Sequence, residues 1–447
     1  MGQADAHNPT ASPPAGDPAR AERPLRILLI NQTFWPDVSA TAQHLADFAE
    51  HMTARGHEVA VIASRRSYEA DDVRALPKKE VWRGITIHRV PGSPFGRESN
   101  KGRMLDFFFF VLFAGLRATF LRRAHVVCTL TTPPMVGLIG LWLKLIKRSR
   151  FVYWVMDLYP DVMVVHGMLT WKSPIAKFLE FFSRMVIRHC DAAVALGPKM
   201  AQILRAKGAR NDRVEVVSVW SDAEEVNPDA PDAGAFRREH GLDGKFLVVY
   251  AGNLGIMHDA QVICRAAEHL AHRDDVRFLF VGSGRRRPEA EQFAKDHNLT
   301  NVTFYPYQPR EKLGGMLTSA DVHLITMVEG AEGLIVPSKL FGIMAAGRPS
   351  IFIGPRDADT AQVIDAESCG VCLSPHDDEG LAREIERLAV DRAEREQFGH
   401  AARRALLARY TRAHSCEALD AICARVTGRS SARVTRAGSP IATEGAR

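Results

Sequence analysis

Short apolar runs alternate with amphipathic segments along this chain from Leu25 onward. Residues 26–31 and 246–251 are typical of the runs, because they are rich in Val, Ile and Leu and too short for helices, which indicates strands covered on both faces. Residues 40–55 show a helical spacing of apolar positions, and Gly56 is suited to ending that helix. The alternation predicts parallel sheets with crossover helices.

Two sets of such units, similar in size, follow one another. Predicted strands lie at residues 26–31, 57–63, 85–90, 124–131, 151–156 and 191–196 in the first set, and at 246–251, 276–282, 321–326, 350–353 and 371–373 in the second. Residues 227–232 between the sets are rich in Pro and Asp and are typical of a linker. We therefore predict an α/β chain of two Rossmann-like, doubly wound domains that face each other across a cleft.

The pattern also gives domain boundaries. An N-terminal domain is predicted at 24–226 and a C-terminal domain at 227–412, followed by a helix at 413–426 that can cross back onto the first domain. Residues 1–23 are rich in Ala, Pro, Asp and Gly without an apolar core, so we expect a disordered leader rather than a secretory signal. Residues 427–447 have no periodicity and predict a disordered tail.

Charge and cysteine content narrow the class of protein only slightly. The 447 residues carry 58 basic and 52 acidic side chains, an excess too small to indicate a nucleic-acid partner. The seven cysteines are odd in number, and Cys369 and Cys372 form a lone pair without a second one at the same spacing. Buried free thiols in a reducing cytoplasm are the expected state.

The basic residues are unevenly distributed. Residues 97–150 hold ten Lys and Arg against two acids and include the most apolar stretch of the chain. Residues 107–116 are too few to span a bilayer. The segment 101–123 therefore predicts either peripheral contact with an anionic membrane surface or an amphipathic helix packed within the N-terminal domain.

Two glycine-containing loops follow predicted strands of the second domain. Gly252, Asn253 and Gly255 precede a helix, and Gly282 and Gly284 repeat the arrangement at the next strand end, before three consecutive arginines. Such loops direct backbone N–H groups at an anion, helped by the helix dipole. A tight strand-to-helix turn and a solvated arginine face are the alternatives.

The segment 332–349 carries the most specific pattern. Pro337 fits the first turn of a helix, with Ser338 and Lys339 beside its N-terminus. A bound phosphate there meets free N–H groups and a lysine together. Because a cation is disfavoured at that end of a helix, Lys339 indicates function more than an ordinary surface position does.

This segment resembles the donor-binding signature of glycosyltransferase family 4, in the branch with Val-Pro-Ser-Lys-Leu-(Tyr/Phe)-Gly-Ile-Met-Ala-Ala-Gly-Arg-Pro. The resemblance extends over about residues 25–426, at 31–37, 157–161, 250–255, His258 with Asp259, 305–311, and Gly354 with Asp359. It implies the GT-B fold, a nucleotide-sugar donor held by the C-terminal domain, an acceptor held by the N-terminal domain, and retention of anomeric configuration. It also implies no cofactor and no required metal. Many members extend lipid-linked glycans of the cell envelope.

The chain departs from the family at several donor contacts. The second of two glutamates common in the family falls on Gly342 and the first on Leu334, while a common Arg and Lys fall on Asn253 and His258. Lys339 is our candidate for the missing positive charge. Glu332 is a candidate for contacting the sugar in place of the first glutamate, with an exposed loop carboxylate as the alternative.

The resemblance also places acceptor-side residues at strand ends of the first domain. Asp157 stands where relatives often have a histidine facing the sugar, so it can stabilise positive charge in the transition state or simply cap a helix. Asp161 follows on the same loop. Trp35 and Asp37 lie in the first loop, where an aromatic ring can stack on an acceptor sugar or pack between the domains.

Together these features predict a retaining glycosyltransferase of envelope or exopolysaccharide synthesis, cytoplasmic and peripheral on the inner face of the plasma membrane. The predicted partners are a nucleotide-sugar donor, a lipid-linked or saccharide acceptor and an anionic membrane, with no nucleic acid. A sugar-nucleotide epimerase of the same fold and a non-catalytic binding subunit are the alternatives. A dinucleotide oxidoreductase is disfavoured because no G-x-G-x-x-G opens either domain.

Overall fold

The computed structural model describes residues 24–66, 76–92 and 100–429. The predicted leader and most of the predicted tail lie outside these residues. The described chain forms two α/β domains, each built on its own sheet with helices on the faces. The predicted fold class is confirmed at this level.

The first domain contains an eight-stranded sheet in the order β3-β4-β2-β1-β5-β6-β7-β8. Its strands are β1 (Arg26–Ile30), β2 (Glu58–Ser64), β3 (Lys79–Trp82), β4 (Ile85–Val90), β5 (Val126–Thr129), β6 (Arg150–Trp154), β7 (Ala192–Ala195) and β8 (Val214–Val216). All neighbours pair in parallel except β3 with β4. Its helices are α1 (Ala40–Ala54), α2 (Asn100–Phe120), α3 (Gly137–Lys147), α4 (Asp161–Val165), α5 (Pro174–His189) and α6 (Pro198–Ala206).

The second domain contains a six-stranded, fully parallel sheet in the order β11-β10-β9-β12-β13-β14. Its strands are β9 (Phe246–Ala251), β10 (Val276–Val281), β11 (Val302–Tyr305), β12 (Val322–Thr326), β13 (Ser350–Ile353) and β14 (Gly370–Leu373). Its helices are α7 (Ala235–Glu239), α8 (Gln261–His269), α9 (Arg287–Asp296), α10 (Arg310–Leu317), α11 (Lys339–Ala345), α12 (Asp359–Glu367), α13 (Asp378–Val390) and α14 (Arg392–Arg409). A last helix, α15 (Arg412–Val426), follows.

In each sheet the strand order reverses at one point, between β1 and β5 in the first and between β9 and β12 in the second. Loops leaving the strands on either side of such a point diverge and leave a crevice in which ligands bind. The loops after β1, β5, β9 and β12 therefore frame the crevice between the two domains. They contain most of the residues singled out from the sequence.

Three edge strands were not predicted from the sequence. β3, β8 and β11 are short and only partly buried: the side chains of β3 alternate between exposed and partly buried, those of β11 are all partly buried, and in β8 only Val214 is buried. A strand covered on both faces must be apolar throughout, whereas an edge strand need not be. The hydrophobic pattern consequently marks the central strands and not these edges.

The last helix packs on the first domain rather than on the second. α15 lies against α1, where Arg412 pairs with Glu50 at 2.9 Å and Arg55 pairs with Asp420 at 2.9 Å. Ser415 Oγ donates to the carbonyl oxygen of Ser218 at 2.9 Å, close to the end of β8. The chain thus returns to its N-terminal domain after completing the C-terminal one.

The state of the cysteines and the hydropathy of the helices follow directly from the structure. All seven cysteines are free and buried, as predicted. No helix among the described residues combines the length and hydropathy required to cross a bilayer. Both observations agree with the composition of the chain.

Candidate active site

The loop after β9 forms one wall of the cleft between the two domains. Gly252 has a φ of +111°, and a Cβ built there meets no atom within 4 Å, so the backbone is open to an approaching ligand. Tyr250, at the end of β9, donates from its hydroxyl to the carbonyl oxygen of Asn253 at 3.1 Å. This bond holds the loop over the strand end.

Gly282 and Gly284 support that loop from the neighbouring strand end. A Cβ at Gly282 would lie 2.2 Å from the carbonyl oxygen of Gly252, and one at Gly284 would lie 2.4 Å from that of Leu254. The N–H of Leu254 also donates to the carbonyl oxygen of Ser283 at 2.7 Å. Close packing of the two loops is therefore enough to require glycine at 282 and 284. Contact of these two residues with the donor stays a prediction.

The three arginines that follow are not equivalent. Arg287 turns inward, where it donates to the carbonyl oxygen of Tyr305 at 2.8 Å and pairs with Glu291 at 2.7 Å. Among the described residues, no acceptor hydrogen-bonds the guanidinium groups of Arg285 and Arg286. Burial lowers the pKa of His258 in this domain and of His166 in the other; the charge of Arg286 acts in the same direction on both, and that of Arg285 on His166. Arg286 therefore lies near both walls of the cleft.

Lys339 is the most unusual side chain of this wall. Its Nζ is buried and has no hydrogen-bond partner within the described part of the chain. It lies 3.7 Å from the ring centre of Tyr250, a cation–π contact. Burial holds the pKa of this ammonium group well below its usual range. A buried ammonium group without a partner is energetically costly, and an anion is the chemical group that would remove this cost.

His258 lies next to Lys339 but does not supply charge. Burial, with the positive charges of Lys339 and Arg286, lowers the pKa of His258 to about 3, so its ring is neutral. Its Nδ1 lies 2.6 Å from the carbonyl oxygen of Thr326, which can only accept, so Nδ1 carries the proton. His258 therefore connects the β9 and β12 loops, and the positive charge of this wall comes from Lys339 and Arg286.

The start of the Lys339 helix differs from the prediction. α11 begins at Lys339 with Ser338 as its N-cap, so Pro337 precedes the helix and does not occupy its first turn. Ser338 makes no side-chain capping bond. The helix has only seven residues, and its contribution here is the lysine rather than a long helix dipole.

The two positions at which the family has glutamates carry no carboxylate in this chain: Gly342 is partly buried and Leu334 is buried. A Cβ at Gly342 has the Leu317 side chain as its nearest neighbour, at 3.4 Å. Leu334 is buried, and its carbonyl oxygen accepts a bond of 3.0 Å from the N–H of Leu158 in the other domain. These positions therefore shape the wall without offering a carboxylate.

Asp157 lies at the end of β6 on the opposite wall, one residue before the bond between Leu158 and Leu334. Thr131 Oγ1 accepts from the N–H groups of Met156 and Asp157 at 3.2 and 3.0 Å, which ties the loops after β5 and β6 together. No described donor hydrogen-bonds the Asp157 carboxylate. Burial raises its pKa to about 6. A carboxylate in this state is available to a ligand in the cleft.

Glu332 lies where the second domain touches α6 of the first. A Cβ at its neighbour Gly333 would lie 2.7 Å from Cγ of Lys199, so the two domains are in close contact there. Oε2 of Glu332 is buried without a hydrogen-bond partner among the described residues. The predicted sugar contact remains a prediction, and the carboxylate is not the exposed loop group of the alternative.

Two predicted site carboxylates are engaged elsewhere. Asp359 accepts from the N–H groups of Lys199 and Met200 at 2.8 and 3.4 Å, so it caps α6 of the other domain instead of facing the donor. Asp161 pairs with Lys207 at 2.8 Å inside the first domain. Neither partner could be found from local sequence, because both contacts depend on the tertiary fold.

The first loop is well packed. Trp35 stacks on Trp82 of β3, with ring centres 5.1 Å apart, so one of its faces is already covered. Asp37 is buried, and its carboxylate accepts from the N–H of Phe34 at 3.3 Å. The loop is thereby fixed in place, and an acceptor contact by Trp35 remains a prediction for its other face.

The structure thus gathers Gly252, Asn253, Gly255, His258 and Lys339 into one cluster and places Asp157 on the opposite wall. Arg286, Tyr250 and Thr131 lie at this site without being singled out by the sequence pattern, in which Arg286 is one of three consecutive arginines. The sequence signal that could have distinguished Arg286 is the start of the next helix at Arg287, which leaves Arg286 in the loop. No local signal marks Thr131.

Comparison with known proteins assigns this arrangement. Residues 39–220 match the family model described as "Glycosyl transferase 4-like domain", and residues 232–405 match "Glycosyl transferases group 1". The two models together cover most of the chain. The chain belongs to glycosyltransferase family 4. It is therefore an enzyme of the glycosyltransferase class, as the sequence predicted.

Two bacterial relatives resemble this glycosyltransferase over much of its length. It is 26% identical to the putative colanic acid biosynthesis glycosyl transferase WcaI of Escherichia coli over 378 residues, which cover 81% of this chain and 91% of WcaI. It is also 26% identical to the probable glycosyltransferase WbjE of Pseudomonas aeruginosa, over 65% of this chain and 74% of WbjE.

Solved structures establish the GT-B fold. Sucrose-phosphate synthase from Thermosynechococcus elongatus superposes with a TM-score of 0.74 at 16% identity, covering 90% of this chain and 99% of that one. HepE from Anabaena, solved in complex with UDP-glucose, gives a TM-score of 0.68 at 14% identity over 89% and 98% of the two chains. WaaG, a glycosyltransferase of lipopolysaccharide biosynthesis, gives 0.66 at 18% identity over 89% and 99%.

Proposed function

We propose that this enzyme transfers a sugar, with retention of configuration, from a nucleotide-sugar donor to a lipid-linked or saccharide acceptor in envelope or exopolysaccharide synthesis. The observation that carries the proposal is the buried, unpartnered ammonium group of Lys339 beside the open backbone of Gly252. The names of WcaI and HepE's UDP-glucose complex support the choice of pathway and donor class.

In this mechanism the donor diphosphate lies between Lys339 and Arg286, over the N–H groups of residues 252–255. As the bond between the anomeric carbon and the phosphate oxygen breaks, negative charge grows on the diphosphate, and these groups stabilise it in a low-dielectric site. Binding the diphosphate also gives Lys339 the anionic partner that it lacks in the free enzyme, which raises its pKa towards the usual value.

The acceptor approaches from the first domain. Its hydroxyl oxygen attacks the anomeric carbon on the face that the diphosphate leaves, and the departing phosphate oxygen takes the hydroxyl proton. Asp157, ionised above its pKa of about 6, stabilises the positive charge that develops on the sugar. We expect no metal requirement, because Lys339 and Arg286 supply the positive charge at the leaving group.

The lipid-linked acceptor and an anionic membrane are supported by an exposed apolar surface on three helices of the first domain, called the apolar face below. α2, α3 and α5 pack side by side, with α3 between the other two. Their exposed apolar side chains are Met104, Leu105, Phe108, Leu112, Leu116, Phe120, Trp142, Leu145, Ile146, Ile175, Phe178 and Phe181. So large an apolar surface suits the headgroup boundary of a membrane, and we propose a peripheral position on the cytoplasmic side of the plasma membrane.

The test is a panel of nucleotide sugars, each incubated with the enzyme with and without a polyprenyl-linked saccharide acceptor. The proposal predicts acceptor-dependent release of nucleoside diphosphate for one donor and a product with the donor's anomeric configuration by NMR. Conversion of the nucleotide sugar without acceptor would establish an epimerase instead. Tight donor binding with no turnover under any condition would leave a binding subunit.

A further inference from the structure

A strongly basic cavity lies away from the cleft between the domains. It has a volume of about 550 Å³, and its lining residues are Arg123, His125, Lys144, Arg148, Ser149, Arg150, Thr427 and Arg429. His125 directly precedes β5, and Arg150 is the first residue of β6. The cavity is therefore at the amino ends of these strands, at the edge of the sheet opposite to the active site. We call it the basic pocket.

The basic pocket has more positive charge than its own acids neutralise. Two acids lie beside it: Asp191, which pairs with Lys144 at 2.8 Å and with Arg150 at 3.6 Å, and Glu58, whose charge acts on His125. Arg123 donates to the carbonyl oxygen of Arg148 at 3.1 Å. The guanidinium of Arg148 itself has neither a hydrogen bond nor an ion pair within the described residues.

The charge state of the histidine in the pocket agrees with this excess. Burial lowers the pKa of His125, with the positive charges of Arg26, Arg429 and Arg123 acting in the same direction and Glu58 opposing them. His125 Nδ1 accepts from the N–H of Arg26 at 3.0 Å, which fits a neutral ring. Positive charge in the pocket therefore comes from arginine and lysine rather than from His125, and Arg123, Arg148 and Arg150 are the side chains that we expect a bound anion to contact.

The basic pocket opens at the margin of the apolar face. Phe120, three residues before Arg123, and Leu145, three residues before Arg148, are each 77% exposed. A hydrogen bond joins α2 and α3 there, since Trp142 Nε1 on α3 donates to Thr119 Oγ1 on α2 at 3.0 Å. A phosphate-binding concavity beside exposed apolar side chains matches a phospholipid, whose charged headgroup adjoins its hydrocarbon.

We propose that the basic pocket binds a phosphate group, and that at the membrane this group is the headgroup of an anionic phospholipid. Arg123, Arg148 and Arg150 contact the phosphate while the neighbouring apolar side chains enter the interface. The inference rests on the proposed peripheral position of the enzyme. It does not depend on the transfer reaction, because the pocket and the active site lie at opposite ends of the strands.

The experiment uses the full chain, a pocket variant and a matched control. The pocket variant combines Arg123→Ser, Arg148→Asn and Arg150→Ser, with Asn chosen because position 148 has a φ of +54° that asparagine tolerates. The control combines Arg383→Ser, Arg392→Ser and Arg404→Ser, three exposed arginines of the second domain with the same loss of charge. Arg148→Asn alone serves as a second pocket variant that removes no side-chain hydrogen bond or ion pair within the described residues.

Two measurements separate the sources of phosphate. Hydrogen–deuterium exchange with inorganic pyrophosphate should show protection of residues 121–126 and 147–151 in the wild type and the control, and none in the pocket variant. Co-sedimentation with vesicles of phosphatidylcholine and phosphatidylglycerol should weaken about a hundredfold in the pocket variant at low salt, since each basic side chain at an anionic surface contributes about a factor of five. Vesicles of phosphatidylcholine alone should not distinguish the variants.

Loss in both measurements supports the headgroup site. Loss of pyrophosphate protection with unchanged vesicle binding overturns the lipid source and leaves a soluble phosphate ligand. No difference between the pocket variant and the control in either measurement overturns the proposal. Sugar transfer to a soluble acceptor without vesicles should be the same in the pocket variant and the wild type, whereas failure of the proposed function would abolish transfer in both and leave vesicle binding intact.

Discussion

Lys339 is the single residue on which the proposed mechanism depends most. A buried ammonium group without a hydrogen-bond partner destabilises the folded state, and its pKa falls as a result. The lysine thus has an energetic cost in the free enzyme that an apolar side chain would avoid. We infer that its value lies in the bound state, where a diphosphate neutralises it.

Replacing Lys339 should therefore separate stability from activity. Lys339→Met should lower kcat/KM by about 10²–10³, the range for one preorganised charge at a leaving group, and should raise the melting temperature. Lys295→Met, an exposed lysine at the end of α9, should change neither quantity. Steady-state kinetics and thermal unfolding check both variants, and a Lys339→Met enzyme with normal turnover would remove Lys339 from the mechanism.

The stability gain should depend on pH in a defined direction. Because the pKa of Lys339 is lower in the folded than in the unfolded state, the folded protein binds fewer protons between the two values, and its stability rises with pH there. The advantage of Lys339→Met over the wild type should shrink as the pH rises towards the ordinary lysine range. Denaturant unfolding at several pH values measures it, and an advantage that grows with pH would contradict the assignment.

Asp157 gives a second prediction from its titration. Its pKa is about 6 in the folded state, above the ordinary value of 3.8. The folded protein therefore binds more protons than the unfolded one between these values, and its free energy of unfolding falls as the pH rises from about 4 to 6. If the ionised form acts in transfer, log kcat/KM should fall by about one unit for each pH unit below 6. Asp157→Asn should abolish this acid limb, lower activity at neutral pH and be more stable than the wild type above pH 6. A pH profile unchanged in Asp157→Asn would refute the role.

At the scale of elements, the two glycine loops act as one unit. Gly282→Ala places a Cβ 2.2 Å from the carbonyl oxygen of Gly252, and the φ of +140° adds strain. We expect the free energy of unfolding to fall by about 2–3 kcal/mol and the donor KM to rise, because the 252–255 loop must move. Gly241→Ala is the control, since its φ is also positive but its Cβ meets nothing within 4 Å. It should cost about 1 kcal/mol and leave KM unchanged.

The sequence predicted elements best where a single physical requirement sets the pattern. Central strands such as β1 and β9 must be apolar on both faces, and their loops must meet at the carboxyl edge of the sheet, so the 252–255 loop and Lys339 could be placed together in advance. Edge strands such as β3 carry no such requirement. The short α11 began later than predicted because Pro337 suits a preceding turn as well as a first helical turn.

The partners of Asp359 and Asp161 could not be predicted for a different reason. Each carboxylate is satisfied by a group distant in sequence, the N-terminus of α6 for Asp359 and Lys207 for Asp161. Nothing in a local pattern distinguishes a carboxylate at a ligand from one at an interdomain contact. The same holds for Thr131, whose hydroxyl connects two loops of the site.

At the scale of the whole molecule, several contacts hold the two domains in one arrangement. Arg403 on α14 donates to the carbonyl oxygens of Ala223 and Val226 in the connecting segment, at 3.0 and 2.9 Å. The Leu158–Leu334 bond joins the two walls of the cleft, and α15 returns to the first domain. The relative position of the walls is thus specified by many weak contacts and not by the linker alone.

Asp359 tests this arrangement. Asp359→Ala removes the cap of α6 and should lower the free energy of unfolding by about 1–2 kcal/mol, while the donor KM stays within about twofold of the wild type. Asp365→Ala is the control: Asp365 is exposed and lies on α12 together with Asp359, and its replacement should have little effect on stability. Unfolding titrations and donor kinetics distinguish the two, and a large rise in donor KM with unchanged stability would return Asp359 to the donor site.

The most direct test of the central claim is a crystal structure of the enzyme with the nucleoside diphosphate of its donor. The diphosphate should lie over residues 252–255, with an oxygen within hydrogen-bond distance of Lys339 Nζ and the guanidinium of Arg286 beside it. A diphosphate bound away from Lys339, with the ammonium still unpartnered against Tyr250, would contradict the account.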